Sequence, residues 1–360
     1  MTIMMTRTSK TEKQDKFGQA WKVATFSVVA LMFASFASSS VLPALADNGN
    51  NANNPQTNLQ DLKQKLQQDQ SAYNQAREQL QNSTKQARQV LRQSLQQDSQ
   101  SYRQAVQQAD NTYRQAVQQA NTEHQQAVQN STGAYDQAVQ QTQQAYKSAI
   151  SNAHNNASMI GNAMAARDQS IASAQTTRVN SIVSADAAHD KTVYSSWYAH
   201  QTTVYTALAT RDGADATAWS TFYTAIGNST LASREQTIGN ARISADNAIL
   251  GARQTRINTV GNATVTKDQA VGNAEITYIT AESSARQALD KGYTHDAKAW
   301  NTALQNYYAT VAPLIQTEDG SIGQANSALT TATGSAAAAR DLAIDQAYAT
   351  MYGAIAAVYS

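Results

Sequence analysis

Residues 102–128 read YRQAVQQADNTYRQAVQQANTEHQQAV, a sequence that repeats itself every eleven positions. The first position of the repeat is aromatic at successive places, namely Tyr102, Tyr113, His124, Tyr135 and Tyr146. Alanine follows each of these positions after three residues, and Val or Ile follows after four. Positions 0, 3, 4 and 7 of an eleven-residue unit lie along one stripe of an α-helix, about 100° wide. The repeat therefore favours an amphipathic helix over the disorder that a Gln-rich composition can also produce.

The same period returns twice further along the chain. The apolar residues of these two series are Ile160, Ile171, Ile182, Val193 and Val204, and then Ile238, Ile249, Val260 and Val271. Eleven residues in three turns predict helices that wrap around each other gently and with a right-handed twist. The sequence thus predicts an all-α protein whose long amphipathic helices form an extended coiled coil or a helical bundle on an eleven-residue (hendecad) repeat.

Four glycines lie inside the periodic stretches, each directly after an apolar residue of the repeat: Gly161, Gly239, Gly261 and Gly272. Glycine in a helix interior costs about 0.8–1 kcal/mol relative to alanine, so these residues either break the helices or allow backbones to approach closely. Because the period continues through Gly261 and Gly272, we expect close contacts.

Breaks in the period predict where the helices end. We expect a turn at Asn152–Asn156 and further interruptions at Asp212-Gly213, Lys291-Gly292 and Pro313. The predicted segments are a signal peptide (1–46), an Asn-rich linker (47–56), a Gln-rich helical stalk (57–155), a helical bundle with large aromatic residues (156–312), a loop (313–334) and a C-terminal helix (335–360).

The first 46 residues have the order of a secretory signal peptide. Lysines before Trp21 precede an uncharged apolar run from Val23 to Ala37, and Ala44-Leu45-Ala46 has the form of a cleavage site. We expect a secreted or cell-surface protein that begins near Asp47. The last helix is too polar to span a bilayer, so no transmembrane anchor is expected after cleavage.

Part of this leader resembles a known type of signal peptide. The residues that carry the match are Lys13, Lys16, Gly18 and Trp21, at the spacing of the KxYKxGKxW motif; Asp15 and Gln19 depart from it. The motif is found on large surface proteins of lactic acid bacteria and streptococci. The resemblance implies a Gram-positive host and the accessory secretion route of glycosylated adhesins, and it concerns the leader alone.

Composition excludes several kinds of chemistry. The chain has 27 Lys and Arg against 26 Asp and Glu, which is no nucleic-acid footprint, and it has no Cys for disulfides or thiolate zinc sites. His189 and His200 are eleven residues apart on one helix face, too distant to share a metal ion. No catalytic motif is present. We expect no enzymatic activity, no cofactor and no metal.

Large aromatic residues are the candidate ligand or partner surface: Tyr102, Tyr113, Tyr135, Tyr146, Trp197, Tyr198, Trp219 and Trp300. The tyrosine series fits a helix–helix seam and, as the alternative, a carbohydrate-stacking ladder. Basic residues recur four positions before the apolar series, at Arg167, Arg178, His189, His200, Arg234, Arg256 and Lys267. They fit side chains at the flank of a seam or, alternatively, contacts with an anionic surface.

These features predict a non-catalytic structural or adhesion protein, secreted or on the cell surface, that presents an elongated helical surface. The expected partners are cell-wall polymers or other surface proteins, together with self-association through the helices. The alternatives are a cell-wall or glycan-binding module and an amphipathic helical protein that binds lipid surfaces.

Overall fold

The computed structural model describes residues 55–360, with side chains from Leu59 onward; the predicted signal peptide and most of the linker lie outside the described residues. Four helices account for nearly all of the described chain: α1 (Pro55–Asn152), α2 (Ala157–Ala225), α3 (Ser229–Lys291) and α4 (Ala297–Tyr359). Residues 55–360 contain no β-strand. The predicted all-α class is confirmed.

The turn between α1 and α2 lies where the period slips. His154 and Asn155 have φ angles of 43° and 67°, in the left-handed region that Asn tolerates better than most residues. The side chain of Asn156 then caps α2, because its Oδ1 accepts a hydrogen bond from the Met159 amide at 3.1 Å. The turn predicted at Asn152–Asn156 is confirmed.

The turn between α2 and α3 lies at Gly227 and not at Asp212-Gly213 as predicted. Gly227 has φ 80°, and the amides of Gly227 and Asn228 donate to the carbonyls of Thr224 (3.0 Å) and Tyr223 (2.8 Å). These two bonds form a Schellman motif, which ends a helix with glycine in the left-handed region. The predicted break at Asp212-Gly213 is wrong because a packed helix tolerates glycine at about 1 kcal/mol.

The end of α3 at Lys291 confirms the predicted interruption at Lys291-Gly292. However, the predicted loop at 313–334 and the separate helix at 335–360 are wrong, because α4 is continuous through Pro313. A row of small or branched residues is buried on both sides of Pro313, namely Val311, Ala325, Ala336 and Ala347. Burial of this row holds the helix together, whereas proline removes only one main-chain donor and strains one turn.

The chain divides into two compact units. One comprises Gln93–Trp219 and Ser233–Ser360, and within it consecutive helices run antiparallel. Near the turn that connects α1 and α2, Tyr146 of α1 contacts Arg167 of α2. Far from the turn, Tyr102 of α1 contacts Arg211 of α2. The predicted separation of a stalk (57–155) from a bundle (156–312) is therefore wrong for residues 93–155, since this part of α1 packs along α2 in the same unit.

The same antiparallel order continues along the chain in this unit. Gly272 and Gly239 of α3 lie against Val183 and Ala216 of α2. At the α3–α4 pair, Glu282 contacts Tyr307 and Arg234 contacts Tyr359. A core cluster joins α2, α3 and α4, and its members are Tyr205, Ala245, Ile249, Ile344, Ala347 and Met351. The unit is an up-and-down helical bundle.

The four periodic glycines are points of close approach between helices, as predicted. A Cβ added at Gly161 would collide with the Asp290 carbonyl of α3, and one at Gly239 would collide with the Ala216 Cβ. At Gly261 it would lie 2.8 Å from Tyr194 Cγ. These distances are shorter than van der Waals contact, so only glycine allows the present spacing of α2 and α3.

The second compact unit contains the described residues 55–92 and 220–232. Its buried apolar residues are Leu91, Phe222 and Ala232. Every residue from 59 to 79 is exposed. Across the described chain, α1 to α4 include no helix that combines the length and the apolar character needed to span a bilayer.

Candidate functional site: an aromatic and basic seam between α1 and α2

The aromatic series of α1 faces the basic series of α2 residue by residue. Each step of eleven along α1 is matched by a step of eleven in the opposite direction along α2. The resulting pairs, called rungs below, are Tyr102–Arg211, Tyr113–His200, His124–His189, Tyr135–Arg178 and Tyr146–Arg167. Two repeats that the sequence displayed separately are thus the two sides of one interface.

The outer rungs and the rung at Tyr135 are cation–π contacts. The guanidinium carbons of Arg167, Arg178 and Arg211 lie 4.7, 5.1 and 4.9 Å from the centroids of the tyrosine rings they cover. Contacts of this kind contribute about 0.5–1 kcal/mol at exposed sites and up to about 2 kcal/mol when desolvated. The four tyrosines of this series, Tyr102, Tyr113, Tyr135 and Tyr146, are half-buried. The contacts therefore support the seam interpretation of these tyrosines and not a free carbohydrate platform.

The central rung pairs two imidazoles. The rings of His124 and His189 lie 5.3 Å apart between centroids. His124 Nε2 is 2.6 Å from Asp186 Oδ1, and His189 contacts Asp190 Oδ1 (2.9 Å, Nδ1) and Asn121 Oδ1 (2.8 Å, Nε2). Each imidazole thus has a carboxylate partner. This rung differs in chemistry from its neighbours, and a unique polar contact of this kind distinguishes one register from another in a repetitive helix pair.

The neighbouring rung pairs one imidazole with a tyrosine ring, and this imidazole also has a carboxylate partner. The rings of Tyr113 and His200 lie 5.6 Å apart, and His200 Nε2 is 2.7 Å from Asp110 Oδ1. Gln201, the next residue of α2, reaches the third helix, because Arg253 Nη1 donates to Gln201 Oε1 at 3.3 Å. The seam therefore connects to α3 through hydrogen bonds.

Next to the rung Tyr146–Arg167, which is the one nearest the α1–α2 turn, carboxyl groups of α2 and α3 are buried together. Arg167 Nε donates to Asp168 Oδ1 at 2.5 Å, and Arg286 Nε lies 2.9 Å from Asp168 Oδ2. Asp290 of α3 is 2% exposed. Burial and the nearby charge of Asp168 raise the Asp290 pKa to about 6. Near pH 6 the Asp290 carboxyl is therefore partly protonated, which lessens the repulsion between the two carboxyls.

A second carboxyl with a raised pKa, on the half-buried Asp246, lies toward the other end of the seam. Burial, with a smaller contribution from Asp212, raises the Asp246 pKa to about 6, against the opposing effects of Arg211 and Arg242. Burial also raises the pKa of Asp215. Acidic groups with raised pKa values thus lie toward both ends of the α2–α3 interface.

The structure does not gather the other predicted aromatic residues into one site. Trp197 lies under Arg256, 5.8 Å from the guanidinium carbon to the ring centroid. Trp300 packs edge-on against Tyr293 at 5.4 Å. Tyr198 and Trp219 are half-buried. Trp197 and Trp300 therefore belong to two different packing contacts.

The sequence analysis did not include among its candidate site residues three exposed tyrosines near the end of α4. Tyr352 and Tyr359 of α4 are 63% and 64% exposed, and Tyr348 is 43% exposed. The rings of Tyr348 and Tyr352 stack at 6.3 Å with an interplanar angle of 25°. Their spacing of four residues places them on one helix face, and that signal was already available from the predicted C-terminal helix at 335–360.

Among residues 55–360, no group of three or more His, Asp and Glu side chains is arranged to hold a metal ion. Comparison with protein-family models, with curated proteins and with solved structures found no match. The fold class therefore rests on the helices themselves: an all-α protein whose described helices form a bundle.

The rung at Tyr135 offers a direct test of the seam. We expect the Tyr135→Leu and Arg178→Met variants each to destabilise the bundle, with a coupling free energy of about 0.5–2 kcal/mol between them. The measurement is a double-mutant cycle by urea unfolding. Tyr308→Leu with Arg178→Met is the control cycle, because Tyr308 lies on α4 and is 61% exposed. Equal coupling in the two cycles would contradict the assigned contact.

Proposed function

We propose that this protein is a non-catalytic structural or adhesion protein, secreted or held on the cell surface, that presents polar helix faces to other molecules. The observation that supports the proposal is the seam. Its rungs place the aromatic and basic series of α1 and α2 between helices, and the faces left outside are rich in amides and hydroxyls. On α1, for example, Gln104, Gln107, Gln115 and Gln118 are exposed.

Such a surface recognises partners by hydrogen bonds. Glutamine and asparagine amides both donate and accept, and serine and threonine hydroxyls do the same. Polysaccharides and the polar surfaces of other proteins offer matching groups. Cell-wall polymers or other surface proteins are therefore the proposed partners, and the signal-peptide pattern of residues 1–46 supports a location where they would be met.

Fractionation of the producing cells tests the location. We expect an antibody against α4 to detect the protein in the medium or the wall fraction, with an N-terminus near Asp47. The cleavage pattern at Ala44-Leu45-Ala46 is the reason for this expectation. A cytoplasmic marker protein is the control for lysis. Recovery of the chain in the cytosol with residues 1–46 still attached would contradict the proposal.

A second candidate function is glycan binding, which the exposed tyrosines of α4 favour. Aromatic rings with a free face stack on sugar rings, and Tyr348 and Tyr352 form a stacked pair at the surface. We expect Tyr348→Ala with Tyr352→Ala to weaken binding to purified cell walls at least about tenfold, or about 1.4 kcal/mol. Tyr308→Ala is the matched control, since Tyr308 is exposed on the same helix. Equal binding by all variants would show that Tyr348 and Tyr352 do not bind glycan, and only the structural role would then be supported.

A further inference from the structure

A chain of four polar side chains crosses three helices at the rung Tyr113–His200. His200 Nε2 lies 2.7 Å from Asp110 Oδ1 of α1, and His200 Nδ1 lies 3.2 Å from Gln201 Nε2. Gln201 Oε1 in turn accepts a hydrogen bond from Arg253 Nη1 of α3 at 3.3 Å. These four residues, Asp110, His200, Gln201 and Arg253, are called the polar relay below. The relay ties α2 to α1 and to α3 in one layer of the bundle.

Donor and acceptor chemistry fixes the direction of every bond in the relay. A guanidinium has only donors, so the amide atom of Gln201 that contacts Arg253 is its oxygen. The amide nitrogen, at the other end of the same group, then donates to His200 Nδ1, which must be an acceptor. The imidazole proton therefore lies on Nε2, which donates it to Asp110. The observed geometry requires His200 in its neutral form with hydrogen on Nε2.

A second proton on His200 is incompatible with this arrangement. An imidazole changes charge between about pH 5 and pH 8, and the added proton would lie on Nδ1, facing the amide nitrogen of Gln201. Turning the amide gives its oxygen to His200 but points its nitrogen at Arg253, which has only donors. Because the two contacts lie at opposite ends of the amide, its one oxygen serves either the protonated ring or Arg253.

The charged and titratable groups around this imidazole leave the conflict in place. On the α1 side are Asp110, which accepts from Nε2 in either form of the ring, and the Tyr113 ring at 5.6 Å. On the α3 side are two guanidiniums, that of Arg253 and that of Arg256, which covers the Trp197 ring about one turn earlier along α2. Both guanidiniums are donors with a permanent positive charge, so neither accepts a hydrogen bond from Nδ1.

His189, one repeat earlier on α2, has no such conflict. Its Nδ1 lies 2.9 Å from Asp190 Oδ1, and its Nε2 lies 2.8 Å from Asn121 Oδ1. Both partner atoms are oxygens, so a ring with protons on both nitrogens keeps both contacts. The two histidines that α2 contributes to the seam therefore respond differently to acid.

We infer that His200 is a proton-sensitive switch of the contact between α2 and α3. Near pH 7.5 the neutral ring orients Gln201 so that the amide oxygen holds Arg253. When the ring is protonated, Gln201 releases Arg253 while Nε2 keeps its bond to Asp110. At this layer α2 then loosens from α3 and stays paired with α1. The switch depends on the relay alone and is independent of the proposed location and partners.

Double-mutant cycles by urea unfolding at pH 7.5 and pH 5 test the switch in the purified chain. We expect Gln201→Leu and Arg253→Met to be coupled at least about fivefold in the unfolding equilibrium constant at pH 7.5, and to lose that coupling at pH 5. Other titrating groups cancel, because all four chains of a cycle share them. The matched control is Thr202→Val with Gln254→Leu, because Gln254 Nε2 donates to Thr202 Oγ1 at 2.9 Å across the same interface and neither group titrates. Its coupling should be equal at the two pH values.

Two further variants isolate the cause. His200→Phe keeps a ring beside Tyr113 but cannot be protonated, so the coupling between Gln201 and Arg253 should no longer depend on pH. Gln201→Glu places an oxygen at both ends of the side chain, so its coupling to Arg253 should persist at pH 5. Absence of coupling at pH 7.5, equal coupling at both pH values with His200 in place, or a loss at pH 5 that persists in the His200→Phe chain would each overturn the inference.

Discussion

Replacing Gly239 with alanine is expected to destabilise the bundle, whereas the same replacement at Gly251 is expected to stabilise it. Both glycines lie in α3, where alanine is the better helix former by about 0.8–1 kcal/mol. Around Gly251 nothing lies within 4 Å of an added Cβ, so only this gain applies. At Gly239 the added Cβ would collide with the Cβ of Ala216, and the two helices must move apart.

Overpacking of a fitted interior costs about 1–3 kcal/mol, and this is the expected difference in unfolding free energy between the two variants. Urea unfolding at a fixed pH measures it. A second change, Ala216→Gly in the Gly239→Ala chain, should recover most of the loss because it restores the missing space. If both glycine variants prove equally stable, the close approach of α2 and α3 at Gly239 is not present in solution.

Asp290→Asn is expected to stabilise the protein at pH 7.5 and to have little effect at pH 4. The pKa of Asp290 is raised from 3.8 to about 6 in the folded chain, so the folded state binds the proton more tightly than the unfolded state does. Its contribution is fully present below pH 3.8 and is lost as the pH rises through about 6. A shift of this size corresponds to on the order of 2–3 kcal/mol.

The position of Asp290 adds to the effect in the same direction. It lies one residue before the end of α3, where the carbonyl ends of the helix disfavour a negative charge. Asparagine keeps the shape without the charge and can donate to Asp168. Asp246→Asn should show the same pH profile, since burial raises that pKa to about 6 as well.

Thermal unfolding at a series of pH values from 4 to 7.5 measures the effect of Asp290→Asn. The matched control is Asp319→Asn, because Asp319 is exposed on α4 and should change stability little at any of these values. A constant difference between wild type and Asp290→Asn across the series would show that the buried carboxyl pair does not titrate in this range.

Local signals in the sequence predicted some of the helix ends. The turn after Asn152 and the end of α3 at Lys291 lie where the apolar period slips or where glycine follows it. Gly213 and Pro313 carry equally strong local signals, yet α2 and α4 continue through them. A local preference of about 1 kcal/mol at glycine, or about 3 kcal/mol at proline, is outweighed when a buried row continues on both sides.

The candidate site could be predicted only in part. The tyrosine series of α1 and the basic series of α2 were both visible as eleven-residue repeats. Nothing local to either series indicates that Tyr146 meets Arg167 and Tyr102 meets Arg211. Most repeats resemble their neighbours, and the histidines at 124, 189 and 200 do not by themselves say which residue faces which, so the pattern is compatible with several registers of the two helices.

The amino-acid sequence by itself determined that most of the chain is helical, where the eleven-residue stripes lie along the first three helices, and which glycines allow close contact. Those properties depend on the spacing of side chains along one helix, and this spacing follows directly from the positions of the residues in the sequence. Only the tertiary structure decided which stripe packs against which, because that choice depends on summed contacts between residues distant in the chain. The pairing of α1 with α2 joined two repeats, which are separate in the sequence, into one seam.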